Sequence, residues 1–182
     1  MKKLTDHKII NTMNNISETM ADELVITREV NAPLHLVYSV WTEAEHLVHW
    51  WGPKGFTINV AKFEFRPEGE FLYGMSAPDG TEIWGKFHYK EIDAPNRVVF
   101  INSFSDKDGS IIRNPWMATW PLEVLNVLTF VEQNGKTIIN LRGGPINANA
   151  EERETFNAGK SSMQQGFAGT FDQLDLYLKE IL

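Results

Sequence analysis

The chain contains no cysteine. Disulfides, thiolate metal sites and a cysteine nucleophile are therefore excluded, and the composition fits a reducing cytoplasm, the expected location. Basic residues are in the minority, 17 against 24 acidic, for a net charge of -7. Binding a phosphate backbone needs a basic face, so no nucleic-acid partner is expected. No apolar run approaches the roughly 20 residues of a membrane helix, and no span is expected. Polar residues follow Lys2 and Lys3 too closely for a secretory signal. Internal repeats and low-complexity tracts are missing. So is any serine, histidine and acid at a readable triad spacing. Gly159-Lys160-Ser161 imitates the end of a phosphate-binding loop, but Glu154 stands where the leading glycine belongs and the segment reads as helix. His46 and His49 share a helical face, yet no Glu-X-X-His pairing completes a metal set and Trp50 and Trp51 crowd them. Neither a metal nor a cofactor is expected.

A length of 182 residues favours one globular domain, placed at residues 23–182. Residues 1–22 are polar, with Ile9, Ile10, Met13, Ile16 and Met20 near helical spacing. They read as an N-terminal extension, or as an amphipathic helix docking on the domain or on a second copy. The longest regular element is predicted at the other end. From Glu151 to Ile181 there is no proline, and Met163, Phe167, Thr170, Phe171, Leu174, Leu178 and Ile181 recur at steps of three and four. Asn149 and Glu152 form a capping-box signature, with acids at the positive end of the helix dipole and Lys179 at the other.

Upstream the period is two. Leu24–Val30, Phe56–Phe65, Glu70–Met75, Ile83–Ile92, Val98–Phe104, Val124–Val131 and Thr137–Leu141 read as strands. Turn chemistry separates them, above all Asn134-Gly135, a two-residue hairpin signal. Gly143-Gly144-Pro145 reads as the break before the long helix. Two short helices follow the first strand. One carries Leu34, Val37, Tyr38 and Trp41. The other opens on a capping box of Thr42 and Glu45 and stops at Gly52-Pro53. The class is α+β: a curved antiparallel sheet wrapped around a long C-terminal helix, since only a curved sheet buries that helix along most of its length.

The chain has 6 tryptophans and 11 phenylalanines, more large rings than an evenly filled core of this size requires. Trp50, Trp51, Tyr73, Met75, Trp84, Phe100, Trp116, Met117 and Trp120 are candidates for the wall and rim of an apolar cavity. Phe71, Tyr73 and Met75 share one strand face and should point inward together. On the long helix, Met163, Gly166, Phe167 and Thr170 complete the candidate set. Gly166 either leaves room for a ligand or admits a close strand. Arg142, if inward, would anchor a ligand carboxylate.

Four stretches resemble a known family. They are Ile26-Thr27-Arg28-Glu29-Val30-Asn31-Ala32-Pro33; Val40-Trp41-Thr42 running to Trp50-Trp51-Gly52-Pro53-Lys54-Gly55-Phe56; Trp120-Pro121-Leu122-Glu123; and Ser162-Met163-Gln164-Gln165-Gly166-Phe167. With the order of elements, they resemble the START-like (SRPBCC) superfamily with its helix-grip fold. Within it they resemble the branch named after the activator of the ninety-kilodalton heat-shock-protein ATPase. The late helix often carries tryptophan where Phe167 stands here. The resemblance implies a cavity between sheet and long helix for a small hydrophobic or amphipathic ligand. Three functions stay open: a non-catalytic binder, a cyclase- or hydrolase-like enzyme using the same cavity, and a module for a chaperone partner. A homodimer covering the loop aromatics near Pro115 is a further expectation.

Overall fold

The computed structural model describes residues 22–182. The extension read over residues 1–22 therefore lies, apart from Asp22, outside the described residues. Strand β1 (Leu24–Val30) leads into helices α1 (Leu34–Thr42) and α2 (Ala44–Trp50). Strands β2 (Thr57–Phe63), β3 (Glu70–Ser76), β4 (Glu82–Asp93), β5 (Arg97–Ser105), β6 (Glu123–Gln133) and β7 (Lys136–Ile146) follow, then helix α3 (Ala150–Ile181). The strands form one antiparallel sheet in the order β1-β7-β6-β5-β4-β3-β2. β1 and β2 are thus opposite edges, and α1 and α2 carry the chain from one to the other. No helix among the described residues is long and apolar enough to cross a membrane.

Alternation along the strands turns one set of side chains toward the helices. Phe71, Phe87, Phe100, Leu128, Phe130 and Ile139 belong to that inner face and are buried with Val37, Trp41 and Trp50 from the short helices. Trp41 meets Trp50, Trp51 and Phe130 edge to face at 4.7, 5.7 and 6.1 Å, the geometry that ring quadrupoles favour. Fully burying a ring such as Phe71 or Phe130 contributes about 2 kcal/mol.

Local signals held where the chemistry was local. Asn134 and Gly135 both take positive φ, 55° and 77°, and close the β6–β7 hairpin. Asn149 caps α3: its Oδ1 accepts from Glu152 N at 2.9 Å, and Glu152 Oε2 accepts from the Asn149 N–H at 2.9 Å. Two expectations change. Thr42 caps nothing. It ends α1, where its hydroxyl donates to the Tyr38 carbonyl at 2.8 Å, and α2 starts after Glu43 without a side-chain cap. A threonine within a helix turn satisfies itself on the carbonyl four residues back. β7 also continues through Gly143-Gly144-Pro145 to Ile146, paired with β6 throughout. Gly143 is required there, because a Cβ would lie 2.5 Å from Asn126 Oδ1 on the facing strand.

Candidate functional site

Helix α3 is fastened at its two ends and almost nowhere between. At the start, Phe156 is buried against Trp120, ring centroids 5.6 Å apart. Glu152 pairs with Arg113, Thr155 Oγ1 donates to Thr119 Oγ1 at 3.0 Å, and Arg153 meets Asp22 at 3.1 Å. At the far end Thr170, Phe171, Leu174 and Leu178 are buried. There Arg28 on β1 reaches Asp172 at 2.7 Å and also Asp175. No residue from 157 to 169 is buried, a stretch of roughly 20 Å at about 1.5 Å per residue. The sheet below follows the same division. Phe87 and Phe100 are buried, while Ile83, Asn102, Phe104 and Val124, on the same inner face nearer the strand ends, are only half-buried.

The opening is a hollow of about 240 Å³ lined by Trp51, Gly52, Pro53, Tyr73, Met75, Met163, Gly166, Phe167 and Thr170. Seven of the thirteen sequence candidates therefore meet around one space. Trp51 follows α2 directly, and Gly52, at φ +100°, turns the backbone away behind it. Its ring contacts Tyr73, Phe87 and Phe167 at 6.3, 5.5 and 6.4 Å. The Tyr73 ring lies across the facing strand: a Cβ at Gly85 would come within 2.6 Å of the Tyr73 hydroxyl.

The other candidates stand elsewhere. Trp50 is core, its indole N–H donating to the Val40 carbonyl at 3.0 Å. Phe100 is also core, stacked on Phe87 at 4.2 Å. Trp84 lies on the outer face over Gly74. At the ends of β4 and β5 it borders, with Phe104, Ile112 and Pro115, a separate depression of about 400 Å³. Trp116 and Met117 are exposed in the β5–β6 loop, at 62% and 45%, while Trp120 covers Gly159. Arg142 points to the outer face and pairs with Glu23 at 2.5 Å. The sequence reading took Gly52 and Pro53 only as a helix stop. Their position next to Trp51 was the available clue to a second role.

Polar groups near the hollow are few. The Thr170 hydroxyl donates to the carbonyls of Gly52 and Gly166 at 3.1 and 3.2 Å. Gln173 Nε2 donates to Gly52 O at 2.6 Å. The Trp51 N–H is buried, on the side of the ring that faces Tyr73. Burial pushes the Tyr73 phenol up to about 12, against the opposing pull of the Trp51 and Asn102 side chains. At neutral pH it is a hydrogen-bonding hydroxyl and not a base. His46 and His49 both turn to Tyr177: His46 Nδ1 lies 2.7 Å from its hydroxyl, and the His49 ring stacks at 5.0 Å.

The anchor at the start of α3 titrates. Hydrogen bonds from Arg113 and from the Asn149 N–H hold the Glu152 carboxyl below the usual carboxylate range. A depressed folded pKa gives stability that is present above the ordinary value near 4.5 and is lost as pH falls through the folded value. Glutamine at this position retains the reciprocal cap but not the charge. Glu152→Gln should therefore cost about 0.5–1 kcal/mol at pH 7. The gap to wild type should close as melting is followed from pH 5 down to pH 3. A gap that stays constant with pH would assign the loss to packing.

A curved antiparallel sheet gripping a long C-terminal helix, with two short helices after the first strand, is the helix-grip architecture of the START-like class. Solved structures share it. One from Mycobacterium smegmatis is 27% identical, covering 85% of this chain and 88% of its own, with a TM-score of 0.70. One from Arthrobacter aurescens is 23% identical, covering 89% and 88%, with a TM-score of 0.74. The AHSA1 protein from Silicibacter pomeroyi is 15% identical, covering 88% and 99%, with a TM-score of 0.66. The search of curated proteins finds no match. The model of the family "Activator of Hsp90 ATPase homolog 1-like protein" matches residues 31–179, and the chain belongs to that family.

Proposed function

We propose that the protein binds a small apolar or amphipathic molecule in the hollow beneath α3, without carrying out chemistry on it. One observation supports this most: no residue in the middle of α3 is fully buried, while both its ends are firmly packed. An amphipathic helix only half-covered over an apolar hollow has surface to offer a guest, at roughly 25 cal/mol per Å² of apolar area covered. The lining is carbon-rich and its one titratable group, Tyr73, stays protonated near neutrality. That suits retention better than catalysis. The cytoplasmic setting expected from the lack of cysteine belongs to the same reading.

The test is a thermal-shift and fluorescence titration with naphthalene-sized apolar probes. Saturation at 100 times Kd should add about 2.7 kcal/mol to stability, which for a domain of this size is a rise of roughly 5–10 °C. Failure of every probe in a broad panel to raise the melting temperature would remove the proposal.

A second reading rests on the β5–β6 loop. Ile111, Ile112, Trp116, Met117 and Leu122 are all exposed there, and exposed apolar clusters mark interaction surfaces. The family description names an ATPase activator, so a chaperone partner or a second copy of this chain would use this loop. An Hsp90 ATPase rate unchanged by the protein, together with a monomer at every concentration, would dismiss it.

A further inference from the structure

We propose that the outer face of the sheet, where β1, β7, β6 and β5 run side by side, is the docking surface for the chain's own first residues. The proposal is independent of the binding role. A sheet with one face in water alternates apolar side chains inward with polar ones outward. The outer face departs from that at one end. Val25 on β1, Val127 on β6 and Val99 on β5 fall in one register row with Arg142 of β7. The adjoining row holds Gly144, Leu125 and Ile101, and Ile146 stands beyond it. Val99, Leu125 and Ile146 are buried, at 7%, 8% and 3% exposure. The apolar side chains packed on them among the described residues, Ile101 and Val127, stand on the same face. Burying a sheet face takes a second layer, and the described helices pack on the inner side. The patch has a sharp border: Thr27, Asn140, Thr129 and Arg97 fill the next register row.

The occupant follows from where the described chain starts. Asp22 is held on α3 by Arg153 at 3.1 Å and by Asn157 at 2.6 Å. Glu23 pairs with Arg142 at the edge of the patch. Met20 is two residues upstream, so it lies within about 7 Å of Asp22 in any conformation. Ile9, Met13, Ile16 and Met20 recur at steps of four, three and four, the spacing of one helical face. Residues 9–20 at about 1.5 Å each would give roughly 18 Å. The patch from β1 to β5, at about 4.8 Å per strand gap, measures roughly 14 Å across. The segment is therefore long enough to cover the patch, and it starts where the cover is needed. The solvent face of α3 beside Asp22 carries Asn157, Lys160, Ser161 and Gln164 and offers no apolar floor.

The chain has no cysteine, so a nitroxide can be placed at one introduced site of the full-length protein. Thr129→Cys carries it to the border of the patch, and Asn59→Cys to β2, the opposite edge strand. The amide resonances of residues 9–20 should broaden with the label at 129 and stay sharp with the label at 59. Broadening from neither site, or equally from both, overturns the proposal. So does equal broadening when the nitroxide sits on one chain and the isotope label on another, which would seat the segment on a second copy. Melting temperature gives an arm that needs no label. Met13→Asp with Ile16→Asp should lower it by roughly 5 °C or more. Asn11→Asp with Asn15→Asp, on the other side of the same spacing, should move it by no more than about 2 °C. Equal melting of both double variants and wild type also overturns the proposal.

Discussion

Replacing Gly166 with leucine is expected to stabilise the protein and close it to its guest at once. Gly166 lies inside a helix, where glycine costs about 1 kcal/mol relative to alanine. It also lines the hollow, and a Cβ built there meets nothing within 4 Å. The added Cβ thus collides with no part of the protein. It gains helix propensity and covers Met163, Phe167 and Thr170, its neighbours on the rim. Melting should rise by about 2–4 °C, the shift that 1 kcal/mol produces in a domain of this length. Affinity for an apolar probe should fall tenfold or more, about 1.4 kcal/mol. Gly169→Ala is the control. It too opens on empty space but does not line the hollow, so it should give the gain in melting temperature with unchanged probe binding. If Gly166→Leu binds the probe as wild type does, the guest sits elsewhere.

The second large effect is expected at Gly69, in the opposite direction. The β2–β3 turn folds so tightly that a Cβ there would lie 2.1 Å from the Glu64 carbonyl oxygen and 2.9 Å from that of Arg66. Both obstacles are backbone, so neither can rotate away. The turn is also hooked to β4, with Glu68 N–H donating to Tyr89 O at 2.8 Å and Tyr89 N–H to Gly69 O at 3.0 Å. Opening it strains these bonds and lifts Phe65 from Tyr89, whose rings are 5.0 Å apart. Gly69→Ala should cost about 3 kcal/mol or more, the range of overpacked or strained sites. That is a fall in melting temperature of roughly 10 °C. A loss below about 1 kcal/mol in chemical denaturation would mean that the turn has slack the geometry does not suggest.

These two glycines also mark what a reader of the sequence could and could not obtain. The turn at Arg66-Pro67-Glu68-Gly69, the Asn134-Gly135 hairpin and the Asn149 cap are set by neighbours within four residues, and they were legible. So was the inward face of Phe71 and Tyr73, because strand parity is local. Arg142 was legible by the same rule: Ile139 and Leu141 are buried inward, which turns residue 142 outward. The course of β7 through Gly143-Gly144-Pro145 was not, because the reason for it is Asn126 on another strand. Trp50 and Trp51 could not be told apart for a similar reason. They are adjacent and alike, yet one donates to Val40 within the core and the other lines the hollow. That difference is set by where α2 stops against β2 and α3, which the sequence does not display. Phe167, where tryptophan is common in the resembling family, contacts Trp51 and Phe171 at 6.4 and 6.2 Å, a smaller ring on the same wall.

The long helix divides its labour, and that division has an evolutionary reading. Substitutions at its two moorings disturb caps, ion pairs and buried rings, so selection for folding acts there. Substitutions along the less buried span touch little that holds the molecule together, so few of them should cost stability. On the binding role proposed above, a lineage could exchange one guest for another by drifting through that span while its scaffold stays intact. Such a scaffold tolerates great divergence, as in the Silicibacter pomeroyi structure, which retains the architecture at 15% identity.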